Sequence, residues 1–276
     1  MMLHTSSILR LLTALFSAAL LLICVSVTPS PANAAPLETV CSDMQEEARA
    51  FDGRLGFVVI DLTNWTRCSY DSDEVFTTAS LYKLLVLAEA HRQHEQGTFS
   101  FSESVEVVMP LPLHKDTSAQ ASKNREGVAS AQKDVSNGQG QKVPHRHSVN
   151  MTSVEAARLM IQISDNYTAH ALRKRLGNSN IAMLPAKLGM PDTSLRFDFT
   201  TTASDIAHFY SLLHDHQLVA PESDATMLEV LLGQKVNDRI PWFLPDDLLI
   251  AHKTGLLDPF VHDAGIVYAA GAPYLL

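Results

Sequence analysis

A serine and a lysine stand three residues apart at Ser80 and Lys83, within the stretch 77–87, Thr-Thr-Ala-Ser-Leu-Tyr-Lys-Leu-Leu-Val-Leu. On a helix this spacing puts both side chains on one face. The helix around them is apolar nearly all round. Leu81, Leu84, Leu85 and Ala88 form one side, and Tyr82, Val86 and Leu87 much of the other. That pattern marks a buried helix. A lysine in the first turn has the wrong sign for the helix dipole, and lysine is rarely buried without a partner. Burial lowers an ammonium pKa, so Lys83 can take the Ser80 proton and make the hydroxyl a nucleophile. The competing reading makes Ser80 a helix cap, but a capping box would put Glu or Gln where Lys83 stands. The same spacing recurs at Ser130-Ala-Gln-Lys133, in a polar stretch with no apolar helix around it.

The elements that must position this pair follow from the periodicity. Residues 37–52, with Val40, Met44, Ala48 and Phe51, read as an amphipathic helix, Leu55 to Asp61 as a buried strand, and Trp65 to Tyr70 as its hairpin partner. The central helix runs to near Gly97, and Val105 to Met109 is a short extended run. Residues 114–147 are rich in Ser, Lys, Gln, Gly and Asn and read as a solvated insertion. His145-Arg-His147 inside it lacks further ligands at metal spacing, so no metal is expected. Thr152 or Ser153, with Glu155, opens a largely apolar helix that breaks at Ser164-Asp165-Asn166. Helices then follow through Leu172 to Leu176, over Ile181 to Leu188, from Thr202 or Ser204 to His214, and over Asp224 to Leu232. Leu248 to Gly255 is a strand ending in Lys253-Thr254-Gly255. Ala264 to Ala270 is a second strand after a loop, and Tyr274 begins a third. Strands at both ends and helices between predict an α+β sandwich: one antiparallel sheet built from both termini, flanked by helices, with a helical subdomain over about 80–235 inserted.

Composition bounds the partners. Residues 1–34 have Arg10, an apolar run from Leu11 to Val27 and a small-residue cleavage site at Ala32-Asn33-Ala34, so they read as a signal peptide. The apolar run is slightly short for a retained transmembrane anchor. Leu21-Leu22-Ile23-Cys24 is a poor lipid-attachment box because Ile23 is bulky. Without this segment the chain carries 20 basic against 30 acidic side chains. That balance disfavours nucleic acid and anionic membrane surfaces. A secreted or periplasmic monomer, without stable membrane insertion once the signal is removed, is expected. Cys41 and Cys68 would remain, either as a disulfide or as two buried thiols.

Ser80-x-x-Lys83, Ser164-Asp165-Asn166 and Lys253-Thr254-Gly255 thus stand in order at a helix start, a helix break and a strand end. Singly, the second and third are ordinary: a helix break and a strand-end charge. Together they resemble the serine β-lactamase and DD-peptidase superfamily, most like class A β-lactamases. The resemblance runs from about residue 40 onward, outside the insertion. Ser164 follows Ser80 by 84 residues, a long interval that the insertion explains. The resemblance implies a β-lactamase/transpeptidase-like fold and an active-site serine hydrolase without cofactor, acting on β-lactam or peptidoglycan-peptide amides through an acyl-enzyme. Ser80 would be the nucleophile, Lys83 its base, and Ser164 the proton relay. Lys253 would supply positive charge for the substrate carboxylate and for Ser164, with Thr254 binding that carboxylate. Asn166 would bind the side-chain amide, and the backbone N–H groups of Ser80 and Leu256, beside Gly255, would form the oxyanion hole.

Two departures qualify this expectation. Class A enzymes carry a glutamate in a long loop between the second and third motifs, which activates the deacylating water. Here residues 189–200 are short and have no glutamate; Asp192 and Asp198 are their only carboxylates, and turn formation at Pro191-Asp192 explains the first. Without a general base, worth about 10²–10⁴-fold, acylation can proceed while deacylation stalls. The alternatives are then a DD-peptidase or slow penicillin-binding enzyme, or a non-catalytic cell-wall-binding relative. The second departure is at the other end. The family's closing strand continues into a helix, whereas this sequence stops at Leu276, so a truncated chain with one uncovered sheet face is expected.

Overall fold

The computed structural model describes residues 37–110, 146–269 and 271–276. The expected signal peptide with its Cys24 box, the Ser130–Lys133 repeat, His145 and all but the end of the 114–147 insertion lie outside these residues.

Helix α1 (Leu37–Ala50) is followed by the hairpin β1 (Phe57–Asp61) and β2 (Arg67–Tyr70). Of the apolar residues expected to bury α1, only Ala48 is buried, while Phe51 is 56% exposed. The β1–β2 turn is longer than the sequence suggested. Asp61 accepts hydrogen bonds from Thr63 N–H and Oγ1 and from Asn64 Nδ2, and Trp65 turns the chain in the left-handed region rather than starting the strand. Cys41 and Cys68 form a disulfide that ties α1 to β2.

A short strand β3 (Phe76–Thr77) leads into a 3₁₀ turn (Ala79–Leu81) and helix α2 (Tyr82–Glu95). Leu84, Leu85, Val86, Leu87, Ala88 and Ala90 of α2 are almost wholly buried, so this helix is the core. Burying each large aliphatic contributes about 1.5–3 kcal/mol. Strands β4 (Ser104–Pro110) and β5 (Arg146–Thr152) form a separate hairpin. The expected insertion therefore ends earlier than residue 147, because Arg146 and His147 already belong to β5.

Helices α3 (Ser153–Gln162), α4 (Asn166–Leu176) and α5 (Asn178–Lys187) follow. Thr152 and Glu155 close a reciprocal capping box on α3. The two-residue strand β6 (Thr200–Thr201) pairs with β3, and Thr202 caps α6 (Ala203–His214). Helix α7 (Pro221–Leu232) begins three residues before the expected Asp224. That carboxylate instead accepts from Leu218 N–H and Val219 N–H and closes the turn ahead of the helix.

Strands β7 (Leu249–Leu257), β8 (Phe260–Ala269) and β9 (Ala272–Leu275) complete the fold. Among the described residues the main sheet has five strands in the order β2-β1-β9-β8-β7, antiparallel throughout. The α+β architecture with a sheet assembled from both ends is as expected. Two corrections apply to its edge. Lys253-Thr254-Gly255 does not end β7, which runs on through Leu256 and Leu257, and the loop expected before Ala264 is a tight turn at Asp258-Pro259. The polar pair His262-Asp263 disguised the first half of β8 as loop.

Candidate active site

Ser80 sits in the 3₁₀ turn that feeds α2 and is half-buried. It is no helix cap: neither Thr78 nor Leu81, which flank the turn, makes a capping side-chain bond, and Ser80 Oγ has no side-chain hydrogen bond among the described residues. The backbone leading into it is clamped. Thr78 N–H donates to Phe199 O at 2.7 Å, and His262 Nε2–H donates to Thr77 O at 2.8 Å. Ala79 has φ +45°, a left-handed conformation that costs a non-glycine residue about 1–3 kcal/mol and needs such surroundings to persist.

Lys83 is fully buried. Its ammonium donates to Ser164 O, to Ser164 Oγ at 3.2 Å and to Asn166 Oδ1 at 2.8 Å. Ser164 lies between α3 and α4 at φ +58°, and Asp165 caps α4 by accepting from Thr168 N–H at 2.7 Å. The helix break thereby turns both Ser164 and Asn166 toward α2. Lys253, also fully buried, donates to the same Ser164 Oγ at 3.0 Å and to Thr254 O at 2.7 Å. The Ser164 hydroxyl therefore bridges the two lysines. Burial pushes Lys83 down to about 8, opposed by Asp165. Burial pushes Lys253 down to about 7, helped by the charges of Lys83 and Arg239 and opposed by Asp263.

Gly255 faces His262 across the β7–β8 pair. A Cβ on Gly255 would lie 3.2 Å from His262 Cβ and 3.3 Å from Thr78 O, so β7 runs close against the Ser80 turn. Thr254 is buried, whereas Leu256 is 64% exposed and brings a backbone N–H on the strand rather than a pocket side chain. Ser80, Lys83, Ser164, Asn166, Lys253, Thr254, Gly255 and Leu256 thus fall at one junction of α2, the α3–α4 break and β7.

Asp192 and Asp198 are both exposed, and Lys83 bonds to neither. Their loop is closed by reciprocal backbone bonds between Ser194 and Thr200 and anchored by the buried Asp205, which accepts from Asp192 N–H and Thr193 Oγ1. What the loop brings to the site is Phe199, whose ring packs on Tyr82 and under the Arg173 guanidinium.

Sequence reasoning missed Arg239. Its side chain is only 14% exposed, its Nε has no hydrogen-bond partner among the described residues, and its charge disfavours protonation of Lys253 and His262. Nothing in the sequence marked it, because Asn237-Asp238-Arg239 reads as an ordinary polar turn before β7. His262 was missed as well, hidden in the expected loop.

The sequence profile of the beta-lactamase enzyme family matches residues 39–276. The chain belongs to this family. It is 25% identical over 261 residues to a β-lactamase of Streptomyces fradiae, covering 88% of this chain and 79% of that protein. The β-lactamase fold is equally plain in solved structures. PBP-A superposes with a TM-score of 0.67 at 22% identity, covering 87% of this chain and 85% of that one. A β-lactamase from Sphaerobacter thermophilus gives a TM-score of 0.67 at 19% identity, covering 86% of each chain. An ancestral class A β-lactamase gives 0.64 at 20% identity, covering 86% of this chain and 88% of that one.

Proposed function

We propose that this chain is an active-site serine enzyme acylated on Ser80 by β-lactam amides, and that its acyl-enzyme is long-lived. The observation that carries this reading is the Lys83–Ser164–Lys253 hydrogen-bond chain beside the half-buried Ser80. Neutral Lys83 takes the Ser80 proton, and Ser80 Oγ attacks the carbonyl carbon. The backbone N–H groups of Ser80 and Leu256 hold the resulting oxyanion; losing one such donor typically costs about 10²–10³ in rate. Ser164 Oγ, which accepts from Lys83 and Lys253, keeps its own proton free for the departing nitrogen. Asn166 spends its oxygen on Lys83, which leaves its amide N–H groups for a substrate side-chain carbonyl. Lys253, Thr254 and Arg239 supply the charge and hydroxyl for the substrate carboxylate.

Slow deacylation rests on a different observation: among the described residues no carboxylate bonds to Lys83, whose acceptors are all neutral oxygens. This favours a penicillin-binding or peptidase-like enzyme over a fast β-lactamase. The Cys41–Cys68 disulfide supports action outside the cytoplasm, as the leader-like residues 1–34 do.

The test is intact-protein mass over time with benzylpenicillin. A Ser80 adduct that persists for hours, and is absent from Ser80→Ala, is the expected result. An adduct lost within seconds, with ring-opened product accumulating, means a turnover β-lactamase. No adduct on folded protein removes the catalytic reading in favour of a binding-only relative.

A further inference from the structure

Arg239 is held from both sides by one buried pair. His252 on β7 is 1% exposed. Its Nδ1 lies 2.9 Å from Asp263 Oδ1 on β8, and its Nε2 lies 3.2 Å from Asn237 Oδ1. The other Asp263 oxygen accepts Ile240 N–H at 3.1 Å. The residue two before Arg239 and the residue just after it are therefore tied to the same His–Asp pair. Gly265, opposite His252 in the strand register, makes the room: a Cβ there would lie 2.5 Å from His252 Cβ.

Neither His252 nor Asp263 bonds to Ser80, Lys83 or Ser164, so the chemistry at the serine does not account for them. Burying an ionisable pair carries a desolvation penalty that often exceeds its Coulombic gain. The turn it fixes offers a reason. Arginine loses much rotamer freedom when ordered, and among the described residues Arg239 keeps an unpartnered Nε and only the largely exposed Asp238 as ion-pair partner.

We infer that Asn237, His252 and Asp263 are positioning residues that hold the Arg239 guanidinium beside Lys253 to receive the substrate's carboxylate. This rests on the reading of the cleft given above. It adds a specificity device: the preference for an anionic over an esterified substrate is set by a hydrogen-bond network behind the strand.

The experiment uses folded Ser80→Ala protein, which cannot be acylated, titrated with benzylpenicillin and with its methyl ester by ligand-observed NMR. The ratio of the two Kd values is the readout. The acid binds more tightly than the ester, and Arg239→Ala lowers that preference about tenfold or more, as expected for loss of a charge-assisted hydrogen bond. Asn237→Ala and His252→Phe each lower it about threefold or more while leaving ester binding unchanged, and neither lowers it further in the Arg239→Ala background. An unchanged ratio in the two network variants overturns the inference, as does absence of an acid preference in the starting protein. A further loss in the Arg239→Ala background overturns it too, since the network then acts through Lys253. If His252→Phe does not fold, Asn237→Ala decides alone. Failure of the acylation reading shows separately, as no Ser80 adduct on the unsubstituted chain, and leaves this ratio readable.

Discussion

Lys83 and Lys253 ask opposite things of the solvent. Acylation needs Lys83 as the free amine and Lys253 as the ammonium, yet Lys83 lies at about 8 and Lys253 at about 7. With the two values so close, the reactive combination is confined to a narrow pH range around them. The second-order acylation rate should follow a narrow bell against pH. It rises as Lys83 loses its proton and falls as Lys253 does, with apparent limits that belong to the coupled pair. A stopped-flow pH series with a chromogenic cephalosporin checks this, and a rate still rising beyond pH 9 would contradict the role given to Lys253. A carboxylate arriving beside Lys253 raises its pKa, so the bell should broaden on its alkaline side when substrate is saturating. Both lysines were legible as chemistry because a charge amid apolar residues is conspicuous in a sequence. Arg239 was not legible, since an arginine in a turn is unremarkable until the fold brings its charge to bear on Lys253.

At the scale of elements, the Ser80 turn is kept in place by strands that contribute no reacting atom. His262 holds Thr77 O from β8 while the 189–200 loop holds Thr78 N–H. Burial and the nearby Arg239 charge lower the His262 pKa, so the imidazole is neutral at pH 7 with its proton committed to Nε2. His262→Phe keeps the shape and removes the donor. Acylation should slow about 3–10-fold, the size of one hydrogen bond, with prior substrate binding little changed, and His262→Gln should recover part of the loss. Gly265 is the sharper structural constraint. A Cβ would come 2.4 Å from Ala251 O, so Gly265→Ala should destabilise the chain by about 1–3 kcal/mol, read from urea unfolding. These contacts show why β3, β6 and the front of β8 escaped the sequence. Two-residue strands have no period to detect, and His262-Asp263 is polar because it serves partners rather than solvent. The long apolar helices α2, α3 and α6 were legible because their burial and their periodicity say the same thing.

For the whole molecule, the Cys41–Cys68 bridge fastens a helix that otherwise buries little. Ala48 is the sole buried residue of α1. The bridge closes a loop with sequence separation 27, for which chain entropy predicts about 2–4 kcal/mol. Replacing both cysteines by alanine should lower the unfolding free energy by that amount while leaving the rate of Ser80 acylation near its original value, because the bridge joins α1 to β2, on the sheet edge opposite β7. A loss of acylation in folded double-alanine protein would mean that α1 supports the site directly.

Strand β9 pairs with β1 on one side and β8 on the other. Among the described elements it is the last to be synthesised, yet it occupies the middle of the sheet. A ribosome-bound chain lacking it has two half-sheets with no shared edge, and β7 has no fixed relation to the β1–β2 hairpin. Assembly is therefore a late, all-at-once event governed by contacts across almost the whole sequence, and such topologies fold slowly. Until β9 is in place, the strand that carries Lys253 is not joined through the sheet to the β1–β2 hairpin.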